Sequence, residues 1–280
     1  MKTIVTHFSP DLDAIAAIWL IKRFWPGWDR AELRFVPAGE TLEGETVDSK
    51  SEVIHVDTGL GLFDHHQLDE DSCAAKKVLS SIPGINRSKY IKKDEALERL
   101  VEVVNDLDHF REVYYPNPAA DFYDFGLPAA LDGWRLIFGE DANRLVELGM
   151  VVMDGIYKKF QDKIWAEKLL KEEGLPFKTR WGKGLGIETA NDEIIHLAQK
   201  QGYKIVLRKD PKKGHVRIKS LPDPKIDLTP VHEKLKKLDP GATWFLHIER
   251  HMILNGSMKN PRVKPTKLGL REIIEILRNA

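Results

Sequence analysis

The opening segment, KTIVTHFSPDLDAIAAIWLIKRFW, leaves little freedom in how the chain can fold. KTIVTH (2–7) is short and β-branched, which suits a strand. The apolar run that follows reaches Trp25 almost without interruption; Ser9 can cap a helix there and Pro10 fits its first turn, so a buried helix is predicted. ELRFVP (32–37) and EVIHVD (52–57) read as further strands with few alternating polar positions, a pattern that favours parallel strands covered on both faces. The order strand, helix, strand, strand predicts an α/β layer. Helical segments follow at about 73–80, 94–106 and 129–138, and then a long amphipathic stretch that Gly174 and Pro176 break.

Beyond that break, GLGIET, YKIVLRK, HVRIKSL and TWFLHIE are strand-like, and helices are predicted near 191–201, 229–238 and 267–278. The whole is therefore expected to be an α/β chain. A parallel-sheet N-terminal domain, 1–173, includes the long connecting helix, and a smaller mixed α+β domain spans 174–280. A length of 280 residues suits two domains. Charge separates them further: residues 1–173 carry 21 basic and 32 acidic groups, residues 174–280 carry 22 and 11. An acidic half can concentrate cations and a basic half can attract phosphates, although two oppositely biased surfaces would also help the halves dock. No window approaches the roughly 18 apolar residues of a membrane helix, and the N-terminus enters a strand with no signal-peptide pattern, so a cytoplasmic protein without membrane contact is expected. Cys73 is the only cysteine, which rules out an internal disulfide and a thiolate metal cluster.

Three groups of carboxylates and imidazoles follow segments read as sheet or the helix after it: His7, Asp11 and Asp13 in THFSPDLDA; Asp57 with Asp64, His65 and His66 in VDTGLGLFDHHQ; and Asp106 and Asp108 in VVNDLDHF. Open parallel sheets build their sites outside the carboxyl ends of the strands, where all three groups could meet. Oxygen and imidazole donors without thiolates suit Mn²⁺, Mg²⁺, Fe²⁺ or Zn²⁺. The number of carboxylates points to two ions sharing a bridging ligand, since unneutralised anions so close together would take up protons. Manganese is the first choice, because magnesium seldom takes histidine, with Mg²⁺ or another divalent ion as the alternative.

HFSPDLDA, VD, DHH and a later helix-end Asp, in that order, resemble the DHH phosphoesterase superfamily. DHHQ, LVEVVNDLD and FLHIERHMILNGS are similar to the melanocyte-proliferating-gene-one branch. The likeness extends over nearly the whole chain and is specific at the motifs. It implies His7 and Asp11 on one ion, Asp13, His65 and Asp108 on the second, and Asp57 bridging, with Asp106 as the alternative to Asp108. Asp64 would hold His65 in its tautomer and His66 would face the substrate phosphate. The implied activity is manganese-dependent, two-metal hydrolysis of phosphodiester bonds in short single-stranded oligonucleotides or nucleotides, with 3′ to 5′ exonuclease action from the closer branch. A phosphorylated small molecule is the other substrate class. Inorganic pyrophosphatase is the runner-up, and a non-catalytic, metal-stabilised nucleic-acid-binding protein the reading from a different class.

The chain departs from the exonuclease branches at their Gly-Gly-Gly-His signature, where it has NGS (255–257) followed by MKNPRVKP. Asn255 and Gly256 could present backbone donors to a phosphate, with Lys259, Arg262, Lys264 or Lys267 adding charge and His247 facing the same cleft. An exposed basic loop is the alternative for these residues. The aromatic residues of FREVYYPNPAADFYDF (110–125) suit either nucleobase stacking or a packed, irregular segment.

Overall fold

The computed structural model describes residues 1–67, 69–83, 94–256 and 262–280. They form two compact units, Met1–Gln161 and Asp162–Ala280. In the first unit, β1 (Thr3–His7) lies between β2 (Glu32–Val36) and β3 (Val53–His55) in a three-stranded sheet, parallel to both. Helices α1 (Leu12–Phe24), α2 (Ala74–Ser81), α3 (Glu95–Asp108), α4 (Leu127–Phe138) and the start of α5 (Ala142–Glu173) complete it. The partition between units falls inside α5 rather than at Gly174.

Every residue of α1 from Ala14 to Ile21 is fully buried, as a helix apolar on all its faces must be. Its cap differs from the expected one: Asp11, not Ser9, is the N-cap, and its carboxylate accepts the Ala14 N–H at 3.0 Å. Trp25 ends the helix in extended conformation, as the residue before Pro26 should. Trp19 is wholly buried in the core and donates its indole N–H to Asp154 of α5 at 2.8 Å. Gly149 lets α5 approach α1, since a Cβ there would stand 2.7 Å from Ile15.

The second unit is a six-stranded mixed sheet in the order β4-β5-β6-β7-β9-β8, made of β4 (Leu175–Thr179), β5 (Gly182–Glu188), β6 (Ile205–Lys209), β7 (Val216–Ser220), β8 (Phe245–Leu246) and β9 (Met252–Asn255). Among the described residues, only β5 and β6 are parallel neighbours in it. Helices α6 (Glu193–Lys200), α7 (Thr229–Leu238) and α8 (Leu270–Arg278) accompany it. The sequence reading missed β4, whose Pro176 looked like a breaker; an edge strand tolerates proline because one row of its backbone groups has no partner strand. It also extended a single strand over TWFLHIE, where the structure has the two-residue β8, a turn, and then β9. No helix among the described residues is long and apolar enough to cross a membrane.

Gly256 follows β9 with φ +89°, and a Cβ there would come 2.3 Å from the His215 ring. Gly256→Ala therefore combines overpacking with a disfavoured backbone, and is expected to destabilise the chain by about 2–4 kcal/mol. A denaturant melt showing an unchanged midpoint would contradict this.

Candidate metal centre

Parallel pairing puts the carboxyl ends of β1 and β3 on the same edge of the sheet, so His7, the last residue of β1, and Asp57, just past β3, arrive side by side. Their side chains meet at 3.2 Å, His7 Nε2 to Asp57 Oδ2. Asp57 has a left-handed backbone, φ 53°, which aspartate tolerates better than most residues, and its N–H is tied to the Phe63 carbonyl at 3.0 Å. That bond folds the intervening turn back and returns the chain to the sheet edge at Asp64 and His65.

His65 Nε2 then lies 3.5 Å from Asp57 Oδ1, 3.6 Å from Asp108 Oδ2 and 3.8 Å from Asp13 Oδ2. Asp108 is the last residue of α3. Asp106, two residues earlier, is bound by Arg111 at 3.0 Å and stays out of the cluster. Asp13 sits in the first turn of α1 with its side chain fully buried; its two oxygens accept the Ala74 and Ala75 N–H groups at 2.6 and 2.8 Å, at the start of α2. Donor atoms of His7, Asp11 and Asp57 lie within 4.8 Å of one another, and so do those of Asp13, His65 and Asp108; a third such group joins Asp57, His65 and His66.

Asp64 holds His66, not His65 as expected. Its carboxylate accepts the His66 backbone N–H at 3.1 Å and stands 2.7 Å from His66 Nδ1, while its other oxygen accepts the Leu60 N–H at 2.8 Å. The reason is local geometry. An aspartate readily accepts the N–H two residues on, and that turn brings the second imidazole back over it. With a carboxylate partner, Nδ1 of His66 carries the proton, and Nε2 lies on the far side of a ring that is 59% exposed.

Crowding shifts the titrations of these groups. Burial, followed by the charge of Asp57, raises both Asp11 and Asp13 above the ordinary carboxylate range, and Asp13 reaches about 8. Burial also raises Asp108, with Asp11 and Asp57 adding to it while His65 opposes. Asp57 goes the other way: burial would raise it, but His65 and His7 together hold it below its usual value. His65 is pushed up to about 9, chiefly by Asp57. Burial would lower His7, and Asp57 and Asp11 overcome that to raise it.

Two buried atoms test whether these residues suit divalent cations. Asp57 Oδ1 and His65 Nε2 are shielded from solvent and neither makes a hydrogen bond, although buried polar atoms of this kind are ordinarily paired. Both belong to the donor groups. Carboxylate oxygens and imidazole nitrogens are donors for Mn²⁺, Fe²⁺ or Zn²⁺, and a cation would satisfy both atoms and relieve the repulsion among the acids. The residues fit a metal centre of one or two ions with Asp57 shared.

Two cavities open on this centre. One of about 360 Å³ is lined by His7, Asp57, Asp64 and His66, the other, of about 230 Å³, by Asp13 and Asp108, and Asp11 borders both. Two residues near the centre escaped the sequence reading. Arg135 of α4 lines the second cavity, and the His109 ring lies 6.3 Å from that of His65 with Nδ1 on the Asn105 carbonyl. His109 sits in the same DLDH string as Asp108, a signal that could have been read; Arg135 has no motif around it.

The remaining predicted residues belong to the second unit. His247 lies in the turn between β8 and β9, where its Nδ1 accepts the Glu249 N–H. Asn255 is fully buried at the end of β9, so its backbone is not open to a phosphate; its side-chain amide donates to the Thr243 and Lys264 carbonyls, and its oxygen accepts the Thr266 N–H at 2.7 Å. It clamps the loop after β9, because a buried amide must satisfy its own donors and acceptor first. Gly256 is likewise buried, against His215. Arg262, Lys264 and Lys267 are exposed, and Lys259 lies outside the described residues.

No curated protein sequence matches the chain. Among solved structures, a DHH-domain protein described as a member of a ribosomal protein family aligns at 13% identity and a TM-score of 0.35, covering 99% of this chain and 86% of its own. A Methanococcus jannaschii protein assigned as a family II inorganic pyrophosphatase aligns over 100% of both chains at 16% identity, with a TM-score of 0.23. The family model for the ChrB C-terminal domain matches residues 4–160, the stretch that contains β1 from Ile4 on, the DHH string and every residue of the candidate metal centre, and the chain belongs to that family.

Proposed function

We propose that this chain is a divalent-metal-dependent phosphoesterase of the DHH type, with manganese as its ion. The observation that carries the reading is that Asp57 belongs both to the donor group of His7 and Asp11 and to the one of His65 and His66, together with the buried Asp57 Oδ1 and His65 Nε2, which make no hydrogen bond and face each other at 3.5 Å. His7, Asp11 and Asp57 would hold one ion, and Asp13, His65 and Asp108 the other. Divalent ions in such a centre polarise a phosphoryl oxygen and lower the pKa of water. A water so activated would serve as the nucleophile. Asp64 fixes the His66 ring by its Nδ1–H, and with Nε2 protonated as well that ring would donate Nε2–H to a phosphoryl oxygen. Placement in the melanocyte-proliferating-gene-one branch, with 3′ to 5′ action on short oligonucleotides or nucleotides, rests on the motifs DHHQ and LVEVVNDLD.

The basic second unit is proposed to bind substrate, through Arg262, Lys264 and Lys267. The Lys264 backbone is held by Thr243 and Asn255 while its side chain is exposed, so Lys264→Ala should leave the loop in place and remove one charge. A loss of about 1 kcal/mol, roughly fivefold in KM with kcat held, is expected from steady-state kinetics. The decisive experiment joins metal analysis of the purified protein to a substrate panel of pyrophosphate, a dinucleotide and a model phosphodiester with manganese. Two ions per chain and metal-dependent cleavage of the dinucleotide are expected. Bound ions with no turnover of any substrate would overturn the enzymatic reading, and preference for pyrophosphate would overturn the substrate class.

A further inference from the structure

We infer that the cavity on the Asp108 side of the centre is a nucleoside subsite, with Phe110 as the stacking platform for the base of a nucleotide whose phosphate lies at the carboxylates. The placement of that phosphate rests on the phosphoesterase reading above; the identity of the rest of the ligand rests on the walls of the cavity. Asp11, Asp13 and Asp108 form one wall, and Leu107, Phe110 and Pro128 contribute apolar surface to the others. The apolar ground continues beyond it, because Leu12, Leu107 and Pro128 also line a neighbouring depression of about 110 Å³ that is almost free of polar surface.

Phe110 itself is 71% exposed, two residues after Asp108, and its backbone is left-handed at φ 54°. A bulky residue avoids that conformation, and residues held in it cluster where function requires them. Here no burial of the ring offsets the strain. The backbone directs an aromatic face into solvent beside the metal-ligating acids, and such a face stacks on any nucleobase. At about 230 Å³ the cavity falls below the roughly 300–1,000 Å³ of typical small-molecule sites, which suits one nucleoside rather than a dinucleotide.

Charge argues in the same direction. Among the described residues lining the two cavities, Arg135 is the one Lys or Arg, and it already donates to the Pro10 carbonyl at 2.9 Å and to Asp132 at 2.5 Å. The first unit thus offers a phosphoryl-binding centre flanked by apolar and aromatic surface, not the ring of cations that the second phosphate of pyrophosphate would call for.

The test compares AMP with ribose 5-phosphate by titration calorimetry on the full chain with manganese present, so that it does not depend on turnover. Wild-type protein should bind AMP roughly 5- to 150-fold more tightly than ribose 5-phosphate, the range that about 1–3 kcal/mol per stacked base gives. In Phe110→Ala that ratio should collapse towards one, and Phe110→Trp should restore it. Phe110→Gly removes the ring while relieving the backbone, so it should lose the ratio yet melt no lower than wild type, which separates lost stacking from lost folding. A third titration with the dinucleotide pApA distinguishes a free nucleotide from a strand end as the source of the base. Equal affinities for AMP and ribose 5-phosphate in wild type, or a ratio that survives in Phe110→Ala, overturn the subsite. Preferential AMP binding in a protein that hydrolyses neither the dinucleotide, nor pyrophosphate, nor the model phosphodiester would overturn the phosphoesterase reading and leave the subsite standing.

Discussion

Asp57→Asn is expected to abolish manganese binding at both donor groups and to reduce phosphodiester hydrolysis by roughly 10³-fold or more, equivalent to several kcal/mol of lost charge stabilisation. The expectation follows from position. Asp57 is the acid that contacts both His7 and His65, at 3.2 and 3.5 Å, so no neighbour can substitute for it. Asparagine is the cleanest replacement because it keeps the shape and tolerates the left-handed backbone that Asp57 adopts. Metal content by mass spectrometry, kcat and a thermal melt would be measured together. Asp106→Asn is the matched control, since Asp106 is bound to Arg111 outside the cluster and its loss should leave two ions in place. Two ions and ordinary turnover in Asp57→Asn would remove the basis of the metal-centre assignment.

The second large effect concerns metal removal and its dependence on pH. Asp13 is raised from 3.8 to about 8, and His65 from 6.5 to about 9. A group whose pKa is raised on folding contributes stability that is complete below its unfolded value and is lost as pH rises through the folded one. Asp13 therefore costs the metal-free protein stability as pH climbs from 3.8 to about 8, and His65 as it climbs from 6.5 to about 9. Asp57, held below its ordinary value, acts in the opposite sense but only under acid conditions, as pH falls through its lowered pKa. Cations take these donors deprotonated, so binding releases protons and tightens over the same window. With manganese at about 100 times its Kd, stabilisation of about 2.7 kcal/mol, or roughly 5–10 °C in Tm, is expected. The gap between chelated and loaded protein should widen from pH 6.5 to 9 in thermal melts. A gap that narrows, or no gap at all, would contradict the assignment.

How much of this was legible in the sequence depended on whether the signal was local. The β1–α1 unit could be read because a β-branched run leading into Ala14–Ile21 admits few other structures, and the donor groups could be located because strand ends in a parallel sheet converge. The role of Asp64 could not be read: the family resemblance implies His65 as its partner, whereas the turn that carries the triplet folds His66 onto it. Asn255 looked like an open backbone donor because NGS reads as a turn, and a sequence does not show that Asn255 ends a buried strand. Phe110 was legible only as one of the aromatic residues of 110–125, because its place beside the centre depends on the left-handed residue after α3, and Arg135 was out of reach because it joins the centre through the packing of α4 and leaves no pattern along the chain.

The carboxylate of Asp13 serves two structures, lying 3.8 Å from His65 in the metal centre and accepting the first two N–H groups of α2. Removing it would therefore unseat a helix start as well as a ligand, and inactivity of such a variant could not be credited to chemistry alone. The same double duty bears on descent. A relative that had abandoned catalysis would still be under pressure to retain this aspartate for the sake of its fold, so lineages that have lost the activity should be recognised by decay at His7, Asp57 and His65, with position 13 among the last to change.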